Sequence, residues 1–164
     1  ERHADDIHGR RLEHLPELFE RNVRIKADIV ASDERETTGQ RALLNFGHTV
    51  GHAVEAAMAR RGEPWRHGEA VAVGMVAAAE MSVVAGRLDR PSAERIVSLI
   101  QRTGLPTHAP LRDARDELAR LMSLDKKVAA GQLRFVLADA IGQAGLYGQI
   151  RQTWIDAGLQ RALT

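Results

Sequence analysis

Leu12, Leu15, Phe19, Val23 and Val30 recur at helical spacing, which predicts a helix over Leu15–Ala31 with Lys26 in the slot between Val23 and Val30. The polar run from Ser32 to Gly39 interrupts that pattern, and a second helix is expected over Arg41–Arg60, ended by Gly62 and Pro64. From His67 to about Gly86, alanine, valine and methionine dominate; a segment apolar on most sides belongs in the centre of a bundle. Pro91-Ser92 opens a further helix and Gly104-Leu105-Pro106 closes it, and another helix runs roughly from Arg112 to Ser123. The period then changes: Leu133–Ala138 and Gly145–Ile150 predict two short strands around a glycine-containing turn, followed by a last helix over Trp154–Leu163. The expected fold is mainly α, a helical bundle with one small β-hairpin near the C-terminus, forming one domain over residues 1–164.

Composition narrows what such a bundle can do. With 164 residues the chain can bury a hydrophobic core, and 44% apolar and 27% charged residues are ordinary for a globular domain. A formal charge of +1 and only 4% aromatic residues argue against nucleic acid as a partner. No uninterrupted apolar run approaches the length of a membrane span, so no membrane partner is expected. Cysteine is absent, so any bound metal must be held by histidine nitrogen and carboxylate oxygen. No strand–helix alternation and no Gly-x-Gly-x-x-Gly loop marks a dinucleotide fold. The chain opens at Glu1 without an initiator methionine, and is expected to be a segment of something longer.

Four features carry candidate chemistry. On a continuous helix, Arg41, Asn45, His48 and His52 share one face, a guanidinium, a carboxamide and two imidazoles suited to an oxygen-rich anion beside a metal. The plain alternative is a solvated polar stripe. Yet Gly47 and Gly51 inside a helix cost roughly 1 kcal/mol each relative to alanine, which suggests close approach of a ligand or another helix. Thr49 follows His48 where a zinc protease needs its glutamate base, so that chemistry is not expected. His67 stands where a loop meets the most apolar helix, either as an N-terminal cap or as a ligand facing His48. Lys26 either snorkels from its apolar stripe or points into a polar cleft as an anion holder, with Glu36 as its partner or a general base. Asp33, Glu34 and Glu36 form a run that would ordinarily be solvated. Adjacent Lys126 and Lys127 are surface decoration unless a phosphate is to be bound.

In order and spacing these residues resemble 3-dehydroquinate synthase, within the sugar-phosphate cyclases. The resemblance runs through Lys26-Ala27, Asp33-Glu34-Arg35-Glu36, Arg41 to Glu55, His67 to Met75, Gly104-Leu105-Pro106, Asp125-Lys126-Lys127 and Leu133 to Leu137. The Asn45-Phe46-Gly47-His48-Thr49 and His67-Gly68-Glu69-Ala70-Val71 blocks are its most specific parts. It implies the C-terminal, helical half of a two-domain cytoplasmic enzyme, usually a homodimer, whose N-terminal domain binds NAD.

The implied reaction is conversion of 3-deoxy-D-arabino-heptulosonate 7-phosphate to 3-dehydroquinate and phosphate, in the shikimate pathway. By position, His48 and His67 are implied as ligands of Zn2+ or Co2+, and His52 and Glu36 as proton-transfer residues. Lys26, Arg41, Asn45, His52 and Lys126 are implied as contacts of the phosphorylated sugar acid. The family's third metal ligand, a glutamate upstream of the position of Lys26, would precede Glu1, as would much of the NAD site; weak metal binding and no turnover are expected of this segment alone. Three other readings stay open: a sister cyclase (2-deoxy-scyllo-inosose or aminodehydroquinate synthase), an iron- or zinc-dependent alcohol dehydrogenase, and a non-catalytic helical interaction module.

Overall fold

The computed structural model describes residues 1–35, 37–128 and 133–164, apart from the side chains of Leu12 and residues 124–128. Its centre is α4 (His67–Val84), which buries ten residues, among them Ala72, Val73, Val76, Ala77 and Met81. By length and apolarity α4 could cross a membrane, contrary to the sequence expectation, but more than half of it is covered by the rest of the molecule. Helices α3 (His48–Arg60) and α7 (Gln152–Ala162) pack along it, with α5 (Arg90–Arg102) and the hairpin completing its cover. The small side chains of α4 allow this, because a helix lined by alanine and glycine admits neighbours on several faces at close range.

The closest approach is glycine against glycine. A Cβ placed on Gly74 would lie 2.0 Å from the carbonyl oxygen of Gly47 and 2.7 Å from the nitrogen of Gly51. Gly47 adopts φ +82, a left-handed conformation that a side chain disfavours, and a Cβ there would lie 2.6 Å from the backbone nitrogen of Met75. The helix expected over Arg41–Arg60 is therefore two pieces. Arg41–Asn45 form a 3-10 turn, Phe46 leaves the helical region, and Gly47 caps the start of α3. Of the two suspected reasons for glycine here, the neighbour is another helix.

Helix α5 is capped by Asp89, whose carboxylate accepts the backbone N–H of Ser92 at 2.8 Å, and the chain leaves it through Gly104 at φ +79. Strands β1 (Phe135–Ala140) and β2 (Gln143–Tyr147) pair antiparallel, Phe135 opposite Tyr147 and Leu137 opposite Gly145, with an irregularity after Ala138. One buried hydroxyl stitches the hairpin to the bundle. Ser82 Oγ donates to the carbonyl of Ala78 (2.7 Å) and accepts the N–H of Ala138 (3.0 Å). The remaining helices are α1 (Ala4–His8), α2 (Leu15–Ser32) and α6 (Arg115–Val128), so the mainly α bundle with one hairpin is the observed architecture.

Helix α2 departs from expectation. Its stripe is not buried: Phe19 is 65% and Val23 66% exposed, Lys26 is exposed, and no residue of the helix is buried. The periodicity located the helix and misjudged what lies against it.

Candidate metal and substrate site

The tight packing of α3 on α4 brings three imidazoles together. His48 opens α3, His52 follows one turn later, and His67 opens α4. Their ring centroids are 5.4–5.6 Å apart, and one ligand nitrogen from each lies within 4.8 Å of the others. Nitrogens around a tetrahedral zinc are about 3.4 Å apart, from Zn–N bonds near 2.1 Å, so small side-chain rotations close the gap. A set of imidazoles without thiolate suits Zn2+ or Co2+. His52 is thus available as a third nitrogen beside the two expected.

Hydrogen bonds orient two of the rings. His67 Nδ1 lies 2.9 Å from a carboxylate oxygen of Glu55, and His48 Nδ1 lies 3.4 Å from the carbonyl of Phe46. The pKa of His48 falls below the usual histidine value, chiefly because burial penalises its charged form; the nearby His52 and His67 act the same way, and the Phe46 carbonyl opposes them. A neutral imidazole near pH 7 is the form that binds a metal. His67 does not cap α4. Arg66 holds that position, with its backbone N–H donated to Glu69 Oε2 at 2.8 Å, which leaves the His67 ring for other work.

His48 and His52 border a cleft of about 750 Å³, within the usual range for small-molecule sites. Asn45, Thr49 and Gln40 line it from the helical side, and Arg134, Val136 and Leu146 line it from the hairpin. Its remaining wall is the loop after α2, organised by Asp33. That carboxylate, 3% exposed, accepts backbone N–H groups of Thr37 (2.8 Å), Thr38 (3.0 Å) and Arg41 (3.1 Å). These bonds, the one from Thr38 foremost, draw its pKa down to about 2 against the opposing effect of burial. Asp33 therefore does not belong to a solvated acidic run.

The structure gathers Asn45, His48, His52 and His67, but not on one face of one helix. Arg41 sits in the 3-10 turn and donates through its guanidinium to the carbonyl of Glu34 at 3.4 Å; neither it nor Lys26 lines the cleft. Glu36 lies outside the described residues, as does the side chain of Lys126. Sequence reasoning missed Glu55 and Arg134. Glu55 had a readable signal, seven residues after His48 and three after His52 on one helical stripe, whereas Arg134 had only its place in a matching block.

A second group, His3, Asp6 and His14, also brings ligand atoms within 4.8 Å. Its rings stack with centroids 3.7 Å apart and planes 28° apart, so their in-plane lone pairs run side by side rather than onto one point. Arg11 already neutralises Asp6 at 2.5 Å. This cluster clamps the first turns of the chain.

Comparison with known proteins shows the family. The family described as 3-dehydroquinate synthase C-terminal matches residues 1–128. A 3-dehydroquinate synthase of Dichelobacter nodosus (strain VCS1703A) is 44% identical over 157 residues, covering 96% of this chain and 42% of that protein. The enzyme of that name from Halorhodospira halophila (strain DSM 244 / SL1) is 47% identical over 150 residues, covering 91% and 41%. The chain spans less than half the length of these curated relatives.

Among solved structures, 2-epi-5-epi-valiolone synthase from Streptomyces hygroscopicus subsp. jinggangensis 5008, with NAD+ and Zn2+ bound, superposes with a TM-score of 0.74 at 22% identity. It covers 96% of this chain and 45% of that one, and the likeness establishes the fold. A 2-deoxy-scyllo-inosose synthase complexed with carbaglucose-6-phosphate, NAD+ and Co2+ superposes at 0.60 with 26% identity, covering 73% and 34%. With most of its length matched by the family and its relatives above 40% identity, the chain belongs to the 3-dehydroquinate synthase C-terminal family.

Proposed function

We propose that this chain is the metal- and substrate-binding part of a 3-dehydroquinate synthase. The reaction would convert 3-deoxy-D-arabino-heptulosonate 7-phosphate to 3-dehydroquinate and phosphate, in the cytoplasm. The observation that carries the reading is the convergence of His48, His52 and His67 at the edge of a cleft bordered by Asn45. His48 and His67 are the proposed ligands of Zn2+ or Co2+. When bound, the metal would polarise the hydroxyl being oxidised and NAD would accept the hydride from the carbon that bears it, the chemistry that allows phosphate to leave.

The chain's own residues position the substrate and handle protons. Asn45 donates and accepts toward hydroxyls from the cleft wall, and Arg134, lining the same cleft, presents a cation to a phosphate or carboxylate. His52, exposed beside the other two rings, takes and returns the hydroxyl proton. The roles of Lys26, Arg41, Glu36 and Lys126 rest on the family resemblance alone, as does dimerisation. The NAD-binding part is proposed to lie in the portion of the relatives beyond the match. The uncovered apolar face of α2 supports docking to it, because Phe19 and Val23 hold a hydrophobic stripe open on a chain less than half its relatives' length.

The test is to supply the complete protein, loaded with NAD and zinc, with the heptulosonate phosphate and follow inorganic phosphate. Release of phosphate without net NADH is the expected result. Phosphate released from glucose 6-phosphate instead would move the protein to the inosose synthases, and net NADH from a simple alcohol would move it to the dehydrogenases.

A further inference from the structure

We propose that Glu55 is the positioning residue that makes His67 a metal ligand; this rests on the reading of the histidine cluster as a divalent-metal site. Glu55 leaves α3 on the stripe that carries His48 and His52, and its Oε2 lies 2.9 Å from His67 Nδ1. A neutral imidazole has one N–H and one lone pair. A carboxylate at Nδ1 holds the proton there and leaves the lone pair on Nε2. The same contact fixes the plane of a ring that is otherwise exposed at the first turn of α4.

Two features make Glu55 the determinant for this ring. The capping arrangement, in which Glu69 Oε2 accepts the Arg66 backbone N–H, sets the backbone at His67, while the hydrogen bond of its imidazole is to Glu55. The close approach of α3 and α4 at Gly47, Gly51 and Gly74 brings the Glu55 side chain across to the neighbouring helix. His48 has a counterpart in the carbonyl of Phe46, at the longer distance of 3.4 Å. Both ligands are thereby arranged to bind through Nε2, one held by a charged acceptor and the other by a neutral one.

The experiment compares the complete wild-type protein with Glu55→Ala and Glu55→Gln. Each is stripped of metal and then titrated with Zn2+ and with Co2+, whose visible spectrum reports coordination. Histidine labelled with 15N reads the tautomer of His67 in the metal-free proteins. The expected result for Glu55→Ala is a loss of about 10- to 100-fold in metal affinity, a mixed His67 tautomer and an unchanged metal-free melting temperature. Glu55→Gln, whose carboxamide oxygen still accepts from Nδ1–H, keeps the tautomer and falls between the two in affinity. Wild-type affinity in Glu55→Ala, or a wild-type His67 with its proton on Nε2, overturns this proposal alone. A wild-type protein that takes up neither metal overturns the reading of the site and the proposal with it.

Discussion

Helices α2 and α4 are each 18 residues long, and the molecule treats them in opposite ways. Helix α4 buries ten residues and meets α3 at glycine contacts, while α2 buries none and leaves Phe19 and Val23 about two-thirds exposed. The first is shaped for neighbours within this chain. The second is amphipathic in sequence yet leaves Phe19 and Val23 of its apolar stripe uncovered among the described residues. The contrast separates a tightly packed frame that positions the histidines from a surface that holds apolar side chains open.

The largest expected effect comes from closing the gap between α3 and α4. Gly74→Val places side-chain atoms where the backbone of Gly47 already sits, and should lower stability by about 3 kcal/mol or more in denaturant unfolding. Because Gly47 precedes His48, metal uptake should weaken as well; an unchanged stability would mean that the glycine contacts do not define the frame. Next in size, His48→Ala together with His67→Ala should reduce zinc affinity of the complete protein more than 100-fold, roughly the loss of two of a few ligands, with little change in metal-free melting. Equilibrium dialysis measures it, and retained tight binding would remove these histidines from the site.

Asp33 predicts a smaller, pH-dependent effect at the edge of the same frame. Its pKa is depressed to about 2 from an ordinary value near 3.9. The stability it contributes is therefore present above about pH 4 and is lost as pH falls toward 2. Unfolding midpoints of wild type and Asp33→Asn should differ at neutral pH and converge as pH falls to about 2; a constant gap would contradict the hydrogen-bonded carboxylate. The smallest effect is expected at α2. Phe19→Asp with Val23→Asp should change the stability of this segment by less than about 0.5 kcal/mol per site, since neither side chain is buried. The same pair in the complete protein should impair folding or turnover, and a complete protein indifferent to it would leave the stripe without a partner.

How much was legible depended on whether the signal was local. Central α4 was readable because alanine, valine and methionine cover most of its circumference, and no arrangement of neighbours makes such a helix a surface one. The start and end of α5 were readable from Pro91 and Gly104, which act through their own backbone preferences. The break at Gly47 was not, since a glycine inside a helix and a glycine capping one look the same until the Met75 backbone is known to press on it. The stripe of α2 misled for a related reason: periodicity shows which side of a helix is apolar, and only packing shows whether anything covers it.

The sequence by itself therefore determined most of the helices and the hairpin, the histidine-bearing segments and the family blocks, because propensity, capping and residue chemistry act within a few positions of the chain. Tertiary structure alone decided that His67 meets His48 and His52, that Asp33 is buried under three N–H donors, and that Glu55 faces His67 across two helices. The Asp33 contacts depend on how the loop after α2 folds back on it, and the histidine and Glu55 contacts depend on a distance between elements, set by how closely α3 can approach α4. That approach is controlled by glycines whose role becomes visible only when the opposing backbone is in place.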